Sequence, residues 1–350
     1  MIKTIEWRED KVFMIDQRKL PDDLEIISCS NHYEVADAIK DMAIRGAPAI
    51  GAAAAYGMAL AAKNYETDDI SKFINYLEKA RDLLAATRPT AVNLFWALGK
   101  IWELTINSDI TVKELRDKII SKAKEIAETD IQTNYKIGEN GVQLFDDGDI
   151  ILTHCNAGSL ATVFYGTALG VIRSVYRQKR NIKVFVDETR PVLQGARLTA
   201  WELLEEKIPA TLICDSVAGF LMSRGEISKV IVGADRIGAN GDVANKIGTY
   251  SISVLAKEHN IPFYVAAPFT TIDFEINNGN EIKIEERRES EVTTIMGRRI
   301  APIGIDVYNP AFDVTPNKNI SAIITEKGIV KPPFFNNLKR LIKLNKCKKN

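Results

Sequence analysis

The chain has 350 residues, of which 46% are hydrophobic and 26% are charged, as is typical of a globular protein of about two domains. Its 46 lysines and arginines balance 46 aspartates and glutamates. A net charge of zero argues against binding nucleic acid through bulk charge, and against a disordered acidic or basic chain.

The cysteines and the apolar stretches limit the class of protein further. The four cysteines are far apart and form no CxxC pair, so neither a disulfide framework nor a zinc ribbon is indicated. The first ten residues lack the apolar core of a signal peptide, and the longest apolar stretch, 47–62, is too short to span a bilayer. We therefore expect a cytoplasmic protein that binds neither a membrane nor a nucleic acid.

Three short runs with alternating or β-branched residues open the chain and predict a small antiparallel sheet. Helical patterns follow, and the second of them is rich in alanine and glycine, which favours close packing against a neighbour. Residues 1–145 are therefore expected to form a helical domain with a small sheet. The predicted strands are Ile2–Trp7, Lys11–Asp16 and Leu24–Ser28, and the predicted helices are Tyr33–Ile44, Ala49–Ala62, Ile70–Thr87, Thr90–Thr105 and Val112–Gly138.

The pattern changes at residues 146–149, after which short apolar strands alternate with helices. Strands that are apolar throughout are typical of a parallel sheet covered on both faces, and repeated βα units predict a doubly wound α/β domain over residues 146–335. Residues 336–350 form a basic tail that we expect to be solvated and partly frayed. The predicted strands are Ile150–His154, Val184–Asp187, Thr211–Cys214, Lys229–Gly233, Phe263–Ala266 and Ala322–Thr325, and the predicted helices are Ser159–Arg177, Ala196–Glu206, Val217–Ser223 and Val243–His259.

Reactive side chains follow several of these strands, at the sheet edge where doubly wound domains bind ligands. Cys155 precedes a predicted helix, whose N-terminus would lower the pKa of a thiol; a buried cysteine acting as a small apolar residue is the alternative. His154 should point away from Cys155 in an extended strand, which favours a structural role. Asp235 follows four apolar residues, a setting that suits a general acid, unless it caps a turn or pairs with Arg236.

Features typical of anion binding accompany these groups. Asn245 and Lys246 follow a glycine-rich loop that is predicted to enter a helix, although an ordinary solvated helix start has the same pattern. Arg45 joins a small-residue loop at another helix start, and Arg88 is held extended by the following proline. The loop after the second parallel strand, 187–195, adds polar side chains. Together these features predict a phosphorylated small molecule bound between two domains.

Several long motifs occur in order between about Ile2 and Pro333: DQRKLP, IRGAPAIG, TRPTAVN, THCNAGSLAT, DETRPVLQGARLTAWEL, VGADRIGANGDVANKIGTY and VAAP. With them the sequence resembles the 5-methylthioribose-1-phosphate isomerases of methionine salvage. That family is related to ribose-1,5-bisphosphate isomerases and to regulatory subunits of the eukaryotic translation-initiation exchange factor. Several motifs in one order are far more specific than any single motif.

The resemblance implies an N-terminal domain of helices and a small sheet, a Rossmann-like C-terminal domain and a homodimer. It implies catalytic roles for Cys155 and Asp235. A sugar phosphate is the implied substrate, and neither a metal nor a cofactor is expected. The residues with implied substrate-binding roles are Arg45, Gly46, Ala47, Arg88, Gln194, Asn245 and Lys246.

The expected reaction converts 5-methylthioribose 1-phosphate to 5-methylthioribulose 1-phosphate, with Asp235 as general acid and Cys155 assisting hydrogen transfer from C2 to C1. Two alternatives stay open. An isomerase for 5-deoxyribose 1-phosphate or ribose 1,5-bisphosphate would differ in the pocket for the C5 substituent, which the sequence does not place. A non-catalytic regulatory subunit that binds a nucleotide or sugar phosphate has no need for both Cys155 and Asp235, so their joint presence favours the enzyme.

Overall fold

The computed structural model describes residues 2–89, 91–106, 110–179 and 181–347, and of residue 179 and residues 342–347 only the backbone. Two features of the sequence analysis extend outside the described residues. They are Thr90, with which the fourth predicted helix begins, and the last three residues of the basic tail, 348–350.

The chain divides into two compact units, and the segment after residue 156 belongs to the first of them. The first unit comprises Met1–Tyr135 and Ala157–Gly166, and the second comprises Lys136–Asn156 and Thr167–Asn350. Segment 157–166 therefore groups with the N-terminal part of the chain, although it follows the first parallel strand almost directly. The domain boundaries expected from the sequence, 145/146 and 335/336, stay predictions.

The first unit consists of a three-stranded antiparallel sheet and helices that enclose one apolar core. Its elements are β1 (Ile5–Arg8), β2 (Lys11–Ile15), β3 (Ile26–Cys29), α1 (His32–Lys40), α2 (Ala47–Asn64), α3 (Ile70–Thr87), α4 (Val92–Trp102) and α5 (Val112–Gly141), whose last residues belong to the second unit. The small side chains of α2 allow close packing against α1, α3 and α4. The Asp69 carboxylate accepts hydrogen bonds from the first-turn N–H groups of Ser71 and Lys72, which explains why α3 begins at Ile70.

Segment 157–166 is anchored to the first unit by three polar side chains. The Thr4 hydroxyl and the Gln17 amide donate to carbonyl oxygens of the segment at 2.6 and 2.7 Å. A carboxyl oxygen of Asp130 accepts a backbone N–H from it at 2.7 Å. Buried backbone groups need hydrogen-bond partners, and this irregular segment finds them in the first unit.

The second unit contains a seven-stranded sheet and a four-stranded sheet. With the strands numbered as in the next sentence, the seven-stranded sheet has the order β16-β15-β10-β7-β4-β5-β6, and the four-stranded sheet has the order β11-β8-β9-β14. The strands are β4 (Ile150–Thr153), β5 (Lys183–Asp187), β6 (Ala210–Ile213), β7 (Lys229–Val232), β8 (Arg236–Gly238), β9 (Val243–Lys246), β10 (Phe263–Ala266), β11 (Ile272–Asp273), β12 (Thr294–Ile295), β13 (Arg298–Arg299), β14 (Phe312–Thr315), β15 (Ala322–Thr325) and β16 (Gly328–Val330). The helices are α6 (Ala168–Lys179), α7 (Ala200–Glu205), α8 (Val217–Ser223), α9 (Thr249–Glu258), α10 (Glu289–Thr293) and α11 (Phe334–Cys347).

The large sheet has the strand order of a doubly wound domain. When its six parallel strands are numbered by their order in the chain, they lie side by side in the sheet as 3-2-1-4-5-6, and the antiparallel strand β16 forms one edge. The order reverses between β4 and β7, which pair directly, with Leu152 opposite Val230. The structure confirms the predicted fold class: an α/β protein with a small antiparallel sheet and helices in its first part, and a Rossmann-like parallel sheet in its second.

The basic tail begins as the helix α11, so the prediction of a solvated, frayed end is wrong for this part. Phe334 and Leu338 are buried in the apolar core of the second unit, and Leu341 packs against it. Their spacing of four and three residues places them on one helix face, a signal that the surrounding lysines obscure. No helix of the described residues is both long and apolar enough to cross a membrane.

Candidate active site at the carboxyl edge of the parallel sheet

Cys155 and Asp235 follow the two central strands of the sheet, at the point where the strand order reverses. Cys155 comes just after β4, which ends at Thr153, and Asp235 comes just after β7, which ends at Val232. Both residues are half-buried. Because β4 and β7 are parallel neighbours, their carboxyl ends meet at one edge, and the crevice at such a reversal is where these domains bind ligands.

The backbone of Cys155 lies in the left-handed region, with φ of +64°. No helix begins shortly after it, contrary to the prediction: the chain makes a 3-10 turn at Ser159–Ala161, and α6 begins only at Ala168. Tyr165 and Gly166 have φ of +76° and +82°, which a right-handed helix cannot contain. The prediction that a helix N-terminus lowers the pKa of the Cys155 thiol is therefore wrong.

Asp235 connects the large sheet to the small one. Its backbone N–H donates to the carbonyl oxygen of Ala244 on β9 at 2.9 Å, and β8 follows at once. The neighbouring Arg236 places its Nε 3.7 Å from a carboxylate oxygen of Asp273. The polypeptide thus turns sharply at Asp235 and leaves the carboxyl edge of the parallel sheet there.

Asn245 and Lys246 lie on strand β9, so the prediction of a helix that begins at Val243 is wrong. A tight turn at Gly241, with φ of +90°, pairs β9 with β8, and β14 pairs with the other side of β9. The Asn245 amide donates to the Thr249 hydroxyl at 3.0 Å, and the Lys246 ammonium donates to a backbone carbonyl at 3.0 Å. The glycine-rich loop is a hairpin, and α9 begins only at Thr249.

Gln194 carries the clearest sign of a ligand in the second unit. The residue is 3% exposed, and neither its amide nitrogen nor its amide oxygen has a hydrogen-bond partner among the described residues. Leaving a buried polar group unpaired costs about 1–3 kcal/mol, and a bound ligand would supply the partner. The next residue, Gly195, packs closely against the backbone of Asp187: a Cβ at position 195 would lie 1.7 Å from the carbonyl oxygen of Asp187.

Arg45, Gly46, Ala47 and Arg88 lie in the first unit. Gly46 caps the N-terminus of α2 with φ of +90°, and a Cβ on it would lie 2.3 Å from the backbone of Ala161. Glycine is therefore required here, and the first turn of α2, whose cap makes no side-chain hydrogen bond, suits an anion. Arg88 is the C-cap of α3 and is half-buried; its φ of −144° and ψ of +80° lie outside the helical region, which the following proline disfavours.

A cluster of the buried His154 and Asp187 with the half-buried Asp215 was not identified from the sequence as a group. Their ligand-type atoms lie within 4.8 Å of one another, which makes them a candidate metal-binding group. Both His154 nitrogens are engaged, Nδ1 with Asp187 at 3.0 Å and Nε2 with the carbonyl oxygen of Ile247 at 2.8 Å. A metal ligand must offer a free nitrogen lone pair, so these contacts favour a hydrogen-bonded pair instead.

The His154–Asp187 pair shares a proton. A carbonyl oxygen only accepts, so Nε2 of His154 is the donor to Ile247, and a second proton lies between Nδ1 and Asp187. Burial raises the pKa of Asp187; burial lowers that of His154, but the hydrogen bond and the charge of Asp187, together with the hydrogen bond to Ile247, raise the pKa of His154 by more. The hydrogen bond between the two side chains joins the ends of β4 and β5.

A hydrogen-bonded group of four further polar residues begins at Asn156, next to Cys155, and was missed. The Asn156 amide donates to Glu202 at 2.8 Å and to Thr199 at 3.1 Å, and Arg173, which is 1% exposed, donates to Glu202 at 2.6 Å. Thr199 and Glu202 stand three residues apart, a spacing that places them on one helical face and could have indicated the cluster.

The comparisons with known proteins are consistent with this geometry. Residues 43–332 match the initiation factor 2 subunit family. The chain belongs to this family. It is 56% identical over 340 residues to the methylthioribose-1-phosphate isomerase of Acetivibrio thermocellus, which covers 97% of this chain and 99% of that protein. With such a relative along nearly its whole length, the chain is an isomerase.

Two solved structures resemble the whole chain. The 5-methylthioribose 1-phosphate isomerase from Pyrococcus horikoshii OT3 is 48% identical with a TM-score of 0.93, over 98% of this chain and 96% of that one. A protein from A. fulgidus, described as translation initiation factor eIF-2B, subunit delta, is 50% identical with a TM-score of 0.89, over 98% of this chain and 100% of that one. Both the enzyme and the translation-factor branches of the family thus share this fold.

Proposed function

We propose that the protein is a cytoplasmic aldose–ketose isomerase that converts 5-methylthioribose 1-phosphate to 5-methylthioribulose 1-phosphate in methionine salvage. The observation that carries the proposal is the position of Cys155 and Asp235 after adjacent central strands, at the reversal of strand order. A thiol and a carboxyl group at one ligand-binding edge provide two groups able to transfer protons. The names of the most similar relatives supply the substrate.

The chemistry explains why two such groups are needed. The phosphate on O1 prevents an aldehyde from forming by simple ring opening, so the bond between C1 and the ring oxygen must break with acid assistance. The electron pair of that bond goes to the ring oxygen, which takes a proton from Asp235, and C1 becomes electron-poor. A hydrogen then moves from C2 to C1 as C2 becomes a carbonyl carbon.

Cys155 assists this hydrogen transfer, as a base or by stabilising the transition state. In a hydride shift, the C2 hydrogen moves to C1 with its electron pair, and the hydroxyl on C2 releases its proton. In an enolate route, the C2 hydrogen leaves as a proton and a proton is returned at C1, while the hydroxyl on C2 releases its own proton as the carbonyl forms. In both routes the proton given up by the substrate restores the one that Asp235 donated, so the reaction is a net isomerisation.

Substrate labelled with deuterium at C2 separates the two routes. Deuterium found at C1 of the ketose product favours the hydride shift. Deuterium lost to water, with ordinary hydrogen at C1, favours the enolate. Wild-type enzyme in normal water suffices, because the product can be read by proton NMR.

Substrate-binding roles are proposed for residues of each unit. In the second unit these are Gln194, Asn245 and Lys246, and the unpaired amide of Gln194 supports its role. In the first unit they lie at the start of α2 and at Arg88, because amide N–H groups and guanidinium groups suit phosphate oxygens. The residues proposed for the first unit are Arg45, Gly46, Ala47 and Arg88.

The specificity test compares kcat/KM for three substrates: 5-methylthioribose 1-phosphate, 5-deoxyribose 1-phosphate and ribose 1,5-bisphosphate. The proposal expects the methylthio substrate to have the highest value. A preference for ribose 1,5-bisphosphate would indicate that the protein is a ribose-1,5-bisphosphate isomerase. Binding of all three sugar phosphates without turnover would indicate a regulatory subunit. The Asp235→Asn variant is the background control for contaminating isomerases.

We also propose a homodimer. Large apolar side chains are exposed along the segment that follows α10, and Met296, Ile303 and Tyr308 are 81%, 91% and 79% accessible. Exposed apolar residues concentrated in one segment are typical of an interface. Light scattering on the purified protein should give twice the mass of one chain; a monomer would refute the dimer, and assembly only with other proteins would favour the regulatory alternative.

A further inference from the structure

Cys155 is held in a backbone conformation that a residue with a Cβ seldom adopts. Its φ is +64°, in the left-handed region, where the side chain crowds the neighbouring carbonyl oxygen. Such a conformation persists only where the surroundings determine it. The contacts of the Cys155 peptide groups therefore decide where the thiol points.

Two threonine hydroxyls hold the two peptide groups of Cys155. The backbone N–H of Cys155 donates to Oγ1 of Thr189 at 2.8 Å, and its carbonyl oxygen accepts from Oγ1 of Thr199 at 2.6 Å. Both threonines are 0% exposed. The residue is thus fixed on both sides by side chains that lie away from it in the sequence.

The single hydrogen of each hydroxyl is fully assigned. Thr189 donates its hydrogen to the carbonyl oxygen of Asp187 at 3.0 Å, which leaves its lone pairs for the N–H of Cys155. Thr199 donates its hydrogen to Cys155 and accepts from the amide of Asn156 at 3.1 Å. Because a hydroxyl carries one hydrogen, this direction of donation is the only arrangement that satisfies all four contacts.

Each threonine is itself held by buried groups. Thr189 also has a left-handed φ of +64°, and its backbone N–H donates to Asp215 at 2.7 Å. Asn156, which donates to Thr199, is oriented by Glu202, and Glu202 is paired with the buried Arg173. The hydroxyls are therefore parts of a rigid network rather than mobile surface groups.

We propose that Thr189 and Thr199 are positioning residues that set the direction of the Cys155 thiol by holding its N–H and its carbonyl oxygen. This inference rests on the proposed function in one respect, that Cys155 takes part in the hydrogen transfer. Neither threonine touches the substrate in this account. They act through the backbone of Cys155 alone.

The test uses Thr→Val substitutions, which keep the shape and remove the hydroxyl, beside Thr→Ser substitutions, which keep the hydroxyl. The variants are Thr189→Val, Thr189→Ser, Thr199→Val and Thr199→Ser. The matched control is Thr325→Val, because Thr325 is also 0% exposed and its hydroxyl also both donates and accepts in backbone contacts, at the β15–β16 turn. Circular dichroism and the Tm confirm folding, and alanine replaces valine in any variant that does not fold.

We expect both valine variants to lose roughly tenfold to a hundredfold in kcat on 5-methylthioribose 1-phosphate, since a small misplacement of a reacting group has effects of this size. KM should stay near the wild-type value, the serine variants should recover the wild-type kcat, and Thr325→Val should keep it. Valine variants with wild-type kcat would overturn the proposal. So would a loss of kcat that serine does not restore, or an equal loss in the Thr325 control.

A second measurement does not depend on turnover. The rate at which iodoacetamide alkylates Cys155 is followed by mass spectrometry of the peptide that contains it. We expect several-fold faster alkylation in the valine variants and wild-type rates in the serine and Thr325 variants; unchanged rates in the valine variants would overturn the proposal. If the wild type lacks isomerase activity but alkylation follows the expected pattern, the proposed function fails and the positioning role stands.

Discussion

Asp130 is a half-buried residue on α5 whose carboxyl group hydrogen-bonds within the protein, and its ionisation should make the stability of the protein depend on pH. Its Oδ2 accepts the backbone N–H of Val163 at 2.7 Å and so holds segment 157–166. Burial raises the pKa of Asp130 to about 7 from its ordinary value of 3.8, and the hydrogen bonds from Val163 and Asn134 oppose this only in part. The group is therefore largely protonated at slightly acid pH in the folded protein.

The sign of the effect follows from the raised pKa. Between the unfolded and folded pKa values the folded protein binds one proton more than the unfolded chain, so the free energy of unfolding falls as pH rises. The contribution is fully present below about pH 4 and is lost as the pH rises through about 7, and its full size is about 4 kcal/mol at about 1.4 kcal/mol per pH unit. Between pH 5 and pH 8 we expect a loss of about 3 kcal/mol from this group.

The Asp130→Asn variant tests this reasoning, because an asparagine oxygen can still accept the N–H of Val163 but cannot ionise. In urea unfolding at pH 5 and pH 8, the free energy of unfolding of the variant should not show this loss. The variant should therefore be more stable than the wild type at pH 8. Asp117→Asn, at an exposed position of the same helix, is the control and should behave like the wild type. Equal losses in wild type and Asp130→Asn would refute the assignment.

Four further predictions concern the site. Asp235→Asn and Cys155→Ala should each nearly abolish kcat while KM changes little, and near-normal kcat in either would remove the role assigned to that residue. Arg88→Ala should raise KM, with a loss of up to about 3 kcal/mol for one charged hydrogen bond, and an unchanged KM would remove Arg88 from the phosphate site. Gln194→Leu should raise the free energy of unfolding by up to about 1–3 kcal/mol, because it removes an unpaired buried amide. It should also raise KM, and a less stable variant with wild-type KM would contradict both expectations. Gly46→Ala should lower the Tm, because the positive φ alone costs about 1–2 kcal/mol and the new Cβ meets the backbone of Ala161, and a wild-type Tm would show that the loop relaxes freely.

Much of the fold could be predicted because local signals and burial agree along most of the chain. The predicted bounds of α3, α8, β10 and β15 are those of the structure. For α3 the agreement has a local cause, the Asp69 cap, and for β10 and β15 it comes from short apolar runs buried on both faces. Alternation of strands and helices then fixes the fold class.

The errors lie where long-range contacts override the local pattern. The helix predicted from Ser159 fails because the backbone of segment 157–166 finds its hydrogen bonds in the first unit, through Thr4, Gln17 and Asp130. The helix predicted from Val243 fails because β9 is paired on both sides. One of these partners, β14, is distant in the sequence, and such pairing leaves no periodic signal in β9 itself.

Of the residues of the candidate site, too, only some could be predicted from the sequence. Cys155 and Asp235 could be chosen because strand order brings loops after apolar strands to one edge, and motifs strengthened the choice. The supporting residue Thr189 could not, because its role depends on a contact between the ends of β4 and β5 that no sequence spacing reveals, whereas the spacing of Thr199 and Glu202 indicates only a shared helical face and not their contacts with Cys155 and Asn156. Threonine and glutamate are common on helices and loops without any such role.

A proton NMR time course with 5-methylthioribose 1-phosphate tests the central claim most directly, with wild type, Asp235→Asn and Cys155→Ala measured in parallel and Cys155 kept reduced. We predict that the anomeric proton signal disappears with wild type while the signals of a ketose 1-phosphate grow, and that it persists with both variants. Persistence of the anomeric signal with folded wild-type protein would contradict the account and favour a regulatory binding protein.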